Sequence, residues 1–89
     1  MDANRRHHIF GDPRHNLAAF AGECGGDKAA AEALESRVQT AFRRGELAAR
    51  EGERFRQTFD VDGYSVTVDG RIVASVARIS TAWISDEKS

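Results

Sequence analysis

The chain is expected to fold as an α+β domain, with N-terminal helices packed on a twisted antiparallel β-sheet. Three observations predict this. Apolar residues recur at helical spacing between Asp27 and Gly45. Beyond Gly52 the apolar period changes to two. Asp62-Gly63 then separates two alternating runs, which is a strong hairpin signal.

Met1–Arg6 is polar and reads as a frayed start, so that the ordered core runs from about residue 7 to about residue 84 of one domain spanning 1–89. His8-Ile9-Phe10 follows as a short apolar patch, and an extended chain there would point His7 and His8 apart. Gly11-Asp12-Pro13 marks a turn. Leu17, Phe20 and Ala21 fall at i, i+3 and i+4, which predicts a short helix from about His15 to Gly22. Gly22, Gly25 and Gly26 break it. Asp27 is a suitable N-cap for a second helix, whose apolar stripe is Ala30, Leu34, Val38, Ala41 and Phe42. Arg43 and Arg44 complement the dipole in its last turn, and Gly45 suits the C′ position. Glu46–Glu51 reads as one further helical turn.

In the second half, Phe55, Phe59 and Val61 should face one way and Arg54, Arg56 and Thr58 the other. Tyr64, Val66 and Val68 alternate with Ser65 and Thr67; Ile79, Thr81 and Trp83 alternate with Arg78, Ser80 and Ala82. The second hairpin turn is either Asp69-Gly70 or Ala74-Ser75. Strand length and the apolar pair Ile72-Val73 favour Ala74-Ser75. That register sets Arg71 opposite Arg78, which destabilises a sheet unless an anion lies between them, either a phosphate or an acidic partner. Residues 85–89 read as a loose polar tail.

Composition narrows the function. Thirteen Lys and Arg against fourteen Asp and Glu give a net charge of −1, which is not a coat protein's bulk charge. Residues 5–15 nevertheless hold Arg5, Arg6, Arg14 and three histidines against Asp12 alone. A local basic site on a neutral body suits an enzyme that grips a few phosphates. Cys24 is the only cysteine, so no intrachain disulfide is possible, and its neighbours Glu23 and Gly25 offer no base to make it a nucleophile. No apolar run approaches the roughly 18 residues of a membrane span. An export signal, if any, would lie on a longer parent chain.

Several segments together resemble the C-terminal toxin domains of bacterial polymorphic and contact-dependent growth-inhibition toxins. They are His8-Ile9-Phe10, Arg14-His15-Asn16-Leu17, the Ala-rich helix, Val66 to Val73 and Ala77 to Trp83. Such domains look like the RNase superfamily that joins barnase, EndoU, certain colicins and RelE. The resemblance spans about residues 7–84. It implies helices on a twisted antiparallel sheet and metal-independent cleavage of RNA, with transfer RNA the expected target. It also implies an immunity protein as partner, a monomeric free form, and delivery on a larger secreted or cell-surface toxin that acts in the target-cell cytoplasm. The implied catalytic positions are His8, His15, Arg78 and Thr81. The chain departs from relatives in having Ser80 before that threonine, where they more often have Gly, and Ala74-Ser75 where they have Asn-Gly or Asp-Gly.

The chemistry suits these residues. Metal-free RNA cleavage needs a base for the ribose 2′-OH, an acid for the leaving 5′ oxygen, and donors for the phosphorane. Histidine serves the first two because it titrates near neutrality, and His15 is the leading candidate, followed by His8 and then His7. Arg78 and Thr81 suit the third, with Arg14 and Arg71 as substrate contacts. His15 should also sit near a helix start whose amides could help hold a phosphate. No cofactor or metal is expected. Tyr64 and Trp83 read as core more than as stacking platforms. One alternative is a metal-dependent DNase using His7, His8, Asp12 and His15, whose spacing is no recognised zinc signature. The other is a non-enzymatic module that binds an acidic partner through Arg71 and Arg78.

Overall fold

The computed structural model describes residues 1–84; the polar tail of 85–89 lies outside the described residues. Three helices precede a three-stranded antiparallel sheet: α1 (Ala3–Phe10), α2 (Ala18–Cys24) and α3 (Asp27–Arg43), then β1 (Arg54–Val61), β2 (Tyr64–Val73) and β3 (Val76–Ile84). Strand order is β1-β2-β3, an up-and-down meander. The α+β class and the order of its halves match the expectation from sequence.

The start of the chain is not frayed. Asp2 caps α1 by accepting a hydrogen bond from the Arg5 amide at 2.8 Å. The helix then buries only its last two residues, Ile9 and Phe10. A helix also replaces the extended segment expected at His7 and His8. A one-turn 3₁₀ helix, Pro13–His15, follows with Asp12 as its cap. His15 is therefore the last residue of that turn, and α2 begins three positions later. Its amide bonds the Asp12 carbonyl at 3.0 Å, so the expected donation of helix amides at His15 does not arise.

α3 is the organising helix. Its N-cap is Gly26 rather than Asp27, which becomes the first helical residue and places its carboxylate at the positive end of the dipole. Ala30, Ala31, Leu34, Val38 and Ala41 are buried along one stripe; Phe42 lies at its margin, only partly covered. Gly45 takes the left-handed conformation and completes a Schellman cap, with Glu46 N–H bonded to the Ala41 carbonyl and Gly45 N–H to Phe42. Residues 46–51 form no further helical turn. They run as a loop that buries Leu47.

β1 alternates as expected, burying Phe55, Phe59 and Val61. Asp62 and Gly63 both have positive φ, as a two-residue type I′ hairpin demands. The second turn falls at Ala74-Ser75, so Asp69-Gly70 lies within β2 and Arg71 pairs with Arg78. Ala74 and Ser75 also have positive φ, 54° and 63°. The Glu51 carboxylate accepts both of their amide N–H groups, at 2.7 and 2.8 Å, and holds this turn in place.

The alternation expected for β3 breaks. Asp69 pairs with Thr81, but the next residue, Gly70, pairs with Ile79. Ser80 is the extra residue of a β-bulge. Ala77 and Ile79 face the core before it, and Ala82 after it. Thr81 and Trp83 consequently lie on the opposite face from Ile79. Gly70 is required at this point. A Cβ there would run into the Arg78 carbonyl and stand 2.7 Å from Phe55 Cζ.

Two stability changes are expected, measured by urea unfolding. Ser75→Gly removes one left-handed non-glycine residue and should raise stability by about 1 kcal/mol. Gly70→Ala should lower it by about 2 kcal/mol or more, because neither the strand backbone nor the buried Phe55 ring has room to retreat.

Candidate functional site

Two features meet at β3. The first is the N-terminal segment, which runs along the free edge of that strand. Arg5 Nη1 donates to the Ile79 carbonyl at 3.0 Å, and Asn16 Nδ2 donates to the Ile84 carbonyl at 3.2 Å. Gln39 of α3 accepts from the Ala77 amide at 3.0 Å. Between these anchors, His8 lines a shallow depression with Asp2, Asn4, Arg5 and the bulge residue Ser80. The imidazoles of His7 and His8 lie 6.3 Å apart, centre to centre.

The second feature is the uncovered face of the sheet. The helices occupy one face only, and the molecule is 19 Å along its shortest axis, enough for one helical layer on one sheet. Outward side chains therefore fall in rows across the three strands. Arg54, Arg71 and Arg78 form one row, Arg56, Asp69 and Thr81 the next, and Thr58, Thr67 and Trp83 a third. Arg56 donates to Asp69 Oδ2 at 3.1 Å, and Thr58 and Thr67 share a hydroxyl hydrogen bond of 2.9 Å. No acidic group interrupts the first row. Opposed arginines on neighbouring strands cost on the order of 1 kcal/mol per pair in water, a cost that a bound anion reverses.

The sequence-predicted residues are distributed between these features. Arg71 and Arg78 meet in the arginine row, and Thr81 lies in the adjoining row on the same face. His8 lines one depression together with Ser80, the residue between Ile79 and Thr81. His15 is placed differently. Its Nδ1 lies 2.7 Å from the Ile9 carbonyl and its ring is mostly covered. A carbonyl only accepts, so Nδ1 carries the proton and the lone pair of the neutral ring is on Nε2. Nε2 is 3.7 Å from Asp12 Oδ2, an ion-pair distance but longer than a hydrogen bond. Among the described residues, no hydrogen bond or ion pair joins either histidine to Arg78 or Thr81.

Arg14 is engaged within its own turn. Its Nε and Nη2 donate to the two oxygens of Asp12 at 3.1 and 2.9 Å. This bidentate pair, helped by the Arg14 amide, holds the Asp12 carboxyl down to about 2. Cys24 is a poor nucleophile, since burial and then the neighbouring Asp62 carboxylate push its thiol up. His7, His8, Asp12 and His15 do not converge as metal ligands; among the described residues no three His, Cys, Asp or Glu side chains do. Comparison with protein-family models, curated proteins and solved structures finds no match for this chain.

Sequence reasoning puts Arg54 and Arg56 on the outward face of β1, as observed, but does not group them with Arg71 and Arg78. The signal for that grouping is the two-residue turn at Asp62-Gly63, which sets Arg54 opposite Arg71 by counting alone. Sequence reasoning also assigned Trp83 to the core, whereas only Tyr64 packs there, edge-on to Phe20 at 5.6 Å.

The Asp12 titration tests the local electrostatics. Because the folded value is depressed from 3.8, the pair's contribution is fully present above that pH and is lost as pH falls through about 2. The Asp12 carboxyl resonance should titrate near that lower value by NMR and return toward 3.8 in Arg14→Ala.

Proposed function

We propose that this chain is the RNA-cleaving domain of a bacterial toxin, a metal-independent endoribonuclease that works at the junction of β3 and the histidine segment. One observation carries the reading. The bulge at Ser80 puts Arg78 and Thr81, three positions apart, on one open face with Arg71 opposite Arg78, and His8 shares a depression with the bulge residue. A guanidinium pair and a hydroxyl beside an imidazole supply what a phosphorane needs: positive charge, a donor and a proton carrier. In this scheme Arg71 and Arg78 hold the scissile phosphate, and Thr81 donates to it. His8 and His15 are the proton-transfer pair. The Ile9 carbonyl fixes the His15 tautomer, as a general base requires. Attack of the ribose 2′ oxygen on phosphorus then expels the 5′ oxygen, leaving a 2′,3′-cyclic phosphate and a 5′-hydroxyl.

The family resemblance supplies the setting of the proposal: transfer RNA as target, delivery on a larger toxin into the cytoplasm of a competing cell, and a cognate immunity protein. The exposed arginine row suits an acidic immunity partner, which would cover the site and hold the toxin inactive.

The purified domain should cut total bacterial RNA in EDTA, leaving cyclic phosphate ends. His15→Ala and His8→Ala should each slow cleavage by roughly 100-fold or more, and Arg78→Ala by a similar factor. RNA left intact at high protein excess overturns the proposal. Activity that EDTA abolishes and a divalent ion restores favours the metal-nuclease alternative instead.

A further inference from the structure

We infer that Trp83 and Arg56 form a nucleobase-stacking platform, so that the open face takes single-stranded rather than duplex RNA. The inference rests on the RNA-cleaving reading for the class of ligand; the platform itself is argued from geometry.

Trp83 is the chain's single tryptophan, and the bulge turns it away from the core. It is partly covered, yet it is not among the apolar side chains that pack against the core. The Arg56 guanidinium carbon stands 5.2 Å from the indole centroid. The same guanidinium is pinned from the side by Asp69 Oδ2 at 3.1 Å, yet two thirds of the Arg56 side chain (67%) remains exposed. An indole and a guanidinium held against each other diagonally across an open sheet face are two flat surfaces of the kind on which bases stack. The neighbours Thr58 and Thr67 are short and hydrogen-bonded to each other, so the long β1 side chain that reaches the ring is Arg56.

The placement of charge completes the case. Thr67 is four residues from Arg71 along β2, so the platform row lies about 13 Å from the arginine row. A strand whose phosphate sits on Arg54, Arg71 and Arg78 can cross the Arg56 row and lay a base on Trp83 only if its bases are unpaired. In an A-form duplex the bases are stacked inside and cannot reach a flat protein surface.

The test uses the intact protein and 2′-O-methylated RNA, which binds as RNA but lacks the 2′-hydroxyl that transesterification requires. Trp83 fluorescence is followed during titration with a short single strand that cannot self-pair and with the same strand annealed to its full complement. The single strand should quench Trp83 and bind at least roughly tenfold more tightly than the duplex. By anisotropy of a labelled strand, Trp83→Ala should weaken binding by roughly tenfold or more, and Trp83→Phe should restore most of it. Arg56→Ala should weaken binding while circular dichroism shows the fold retained. Equal affinity for duplex and single strand, or binding that leaves Trp83 fluorescence unchanged, overturns the platform. Quenching by the single strand in a protein that cuts no RNA sustains the platform and overturns the cleavage reading alone.

Discussion

A three-stranded sheet backed by one helical layer has one face dry and the other in water, and the rest of this molecule follows from that division. Ala30, Ala31, Leu34, Val38 and Ala41 of α3 share one buried cluster with Phe55, Phe59, Val66 and Val68 of the sheet. With the core on one side, every second residue of each strand is released from packing. Those positions hold Arg54, Arg56, Thr58, Thr67, Asp69, Arg71 and Arg78. A chain of 89 residues has too little apolar surface to cover both faces, so the open face can carry charge at small cost to stability.

The edges of the sheet are treated as unequally as its faces. The outer edge of β3 exposes backbone groups that would otherwise invite another strand. Arg5, Gln39 and Asn16 occupy three of them. These side chains come from three separate segments, and each bond fixes its segment relative to the strand. The histidines owe their position to this arrangement: His8 follows one anchor by three residues, and His15 directly precedes another. Edge protection and the placement of the histidine segment rest on the same set of hydrogen bonds.

What could be read from sequence was whatever depends on local chemistry. Helix α3 has a periodic stripe and a glycine stop, and Asp62-Gly63 has no competing reading. The turn at Ala74-Ser75 followed from strand length even though its own residues dislike positive φ; Glu51, distant in sequence, makes up for their poor turn chemistry. Helix α1 was hidden because its sequence is charged and polar until Ile9 and Phe10, and its stability comes from the Asp2 cap and from contact with β3. The open-face site was half legible. Arg71 and Arg78 were placed correctly, but Trp83 was not, because a single unseen residue of bulge reverses every later side chain.

That reversal has an energetic logic. In a regular strand carrying Arg78 outward, Thr81 and Trp83 would point inward and Ala82 outward. The inward position here is occupied by Ala82, fully buried and paired with the fully buried Val68. Inserting Ser80 as an extra residue loses part of the β2–β3 ladder, but it sets the small residue inward and the large one outward. Gly70 permits this because its missing Cβ lets the bulged strand close down on β2. The same packing constraint gathers Arg78, Thr81 and Trp83 onto one surface. A substitution at Gly70, which touches no substrate under any reading, should therefore disturb all three at once.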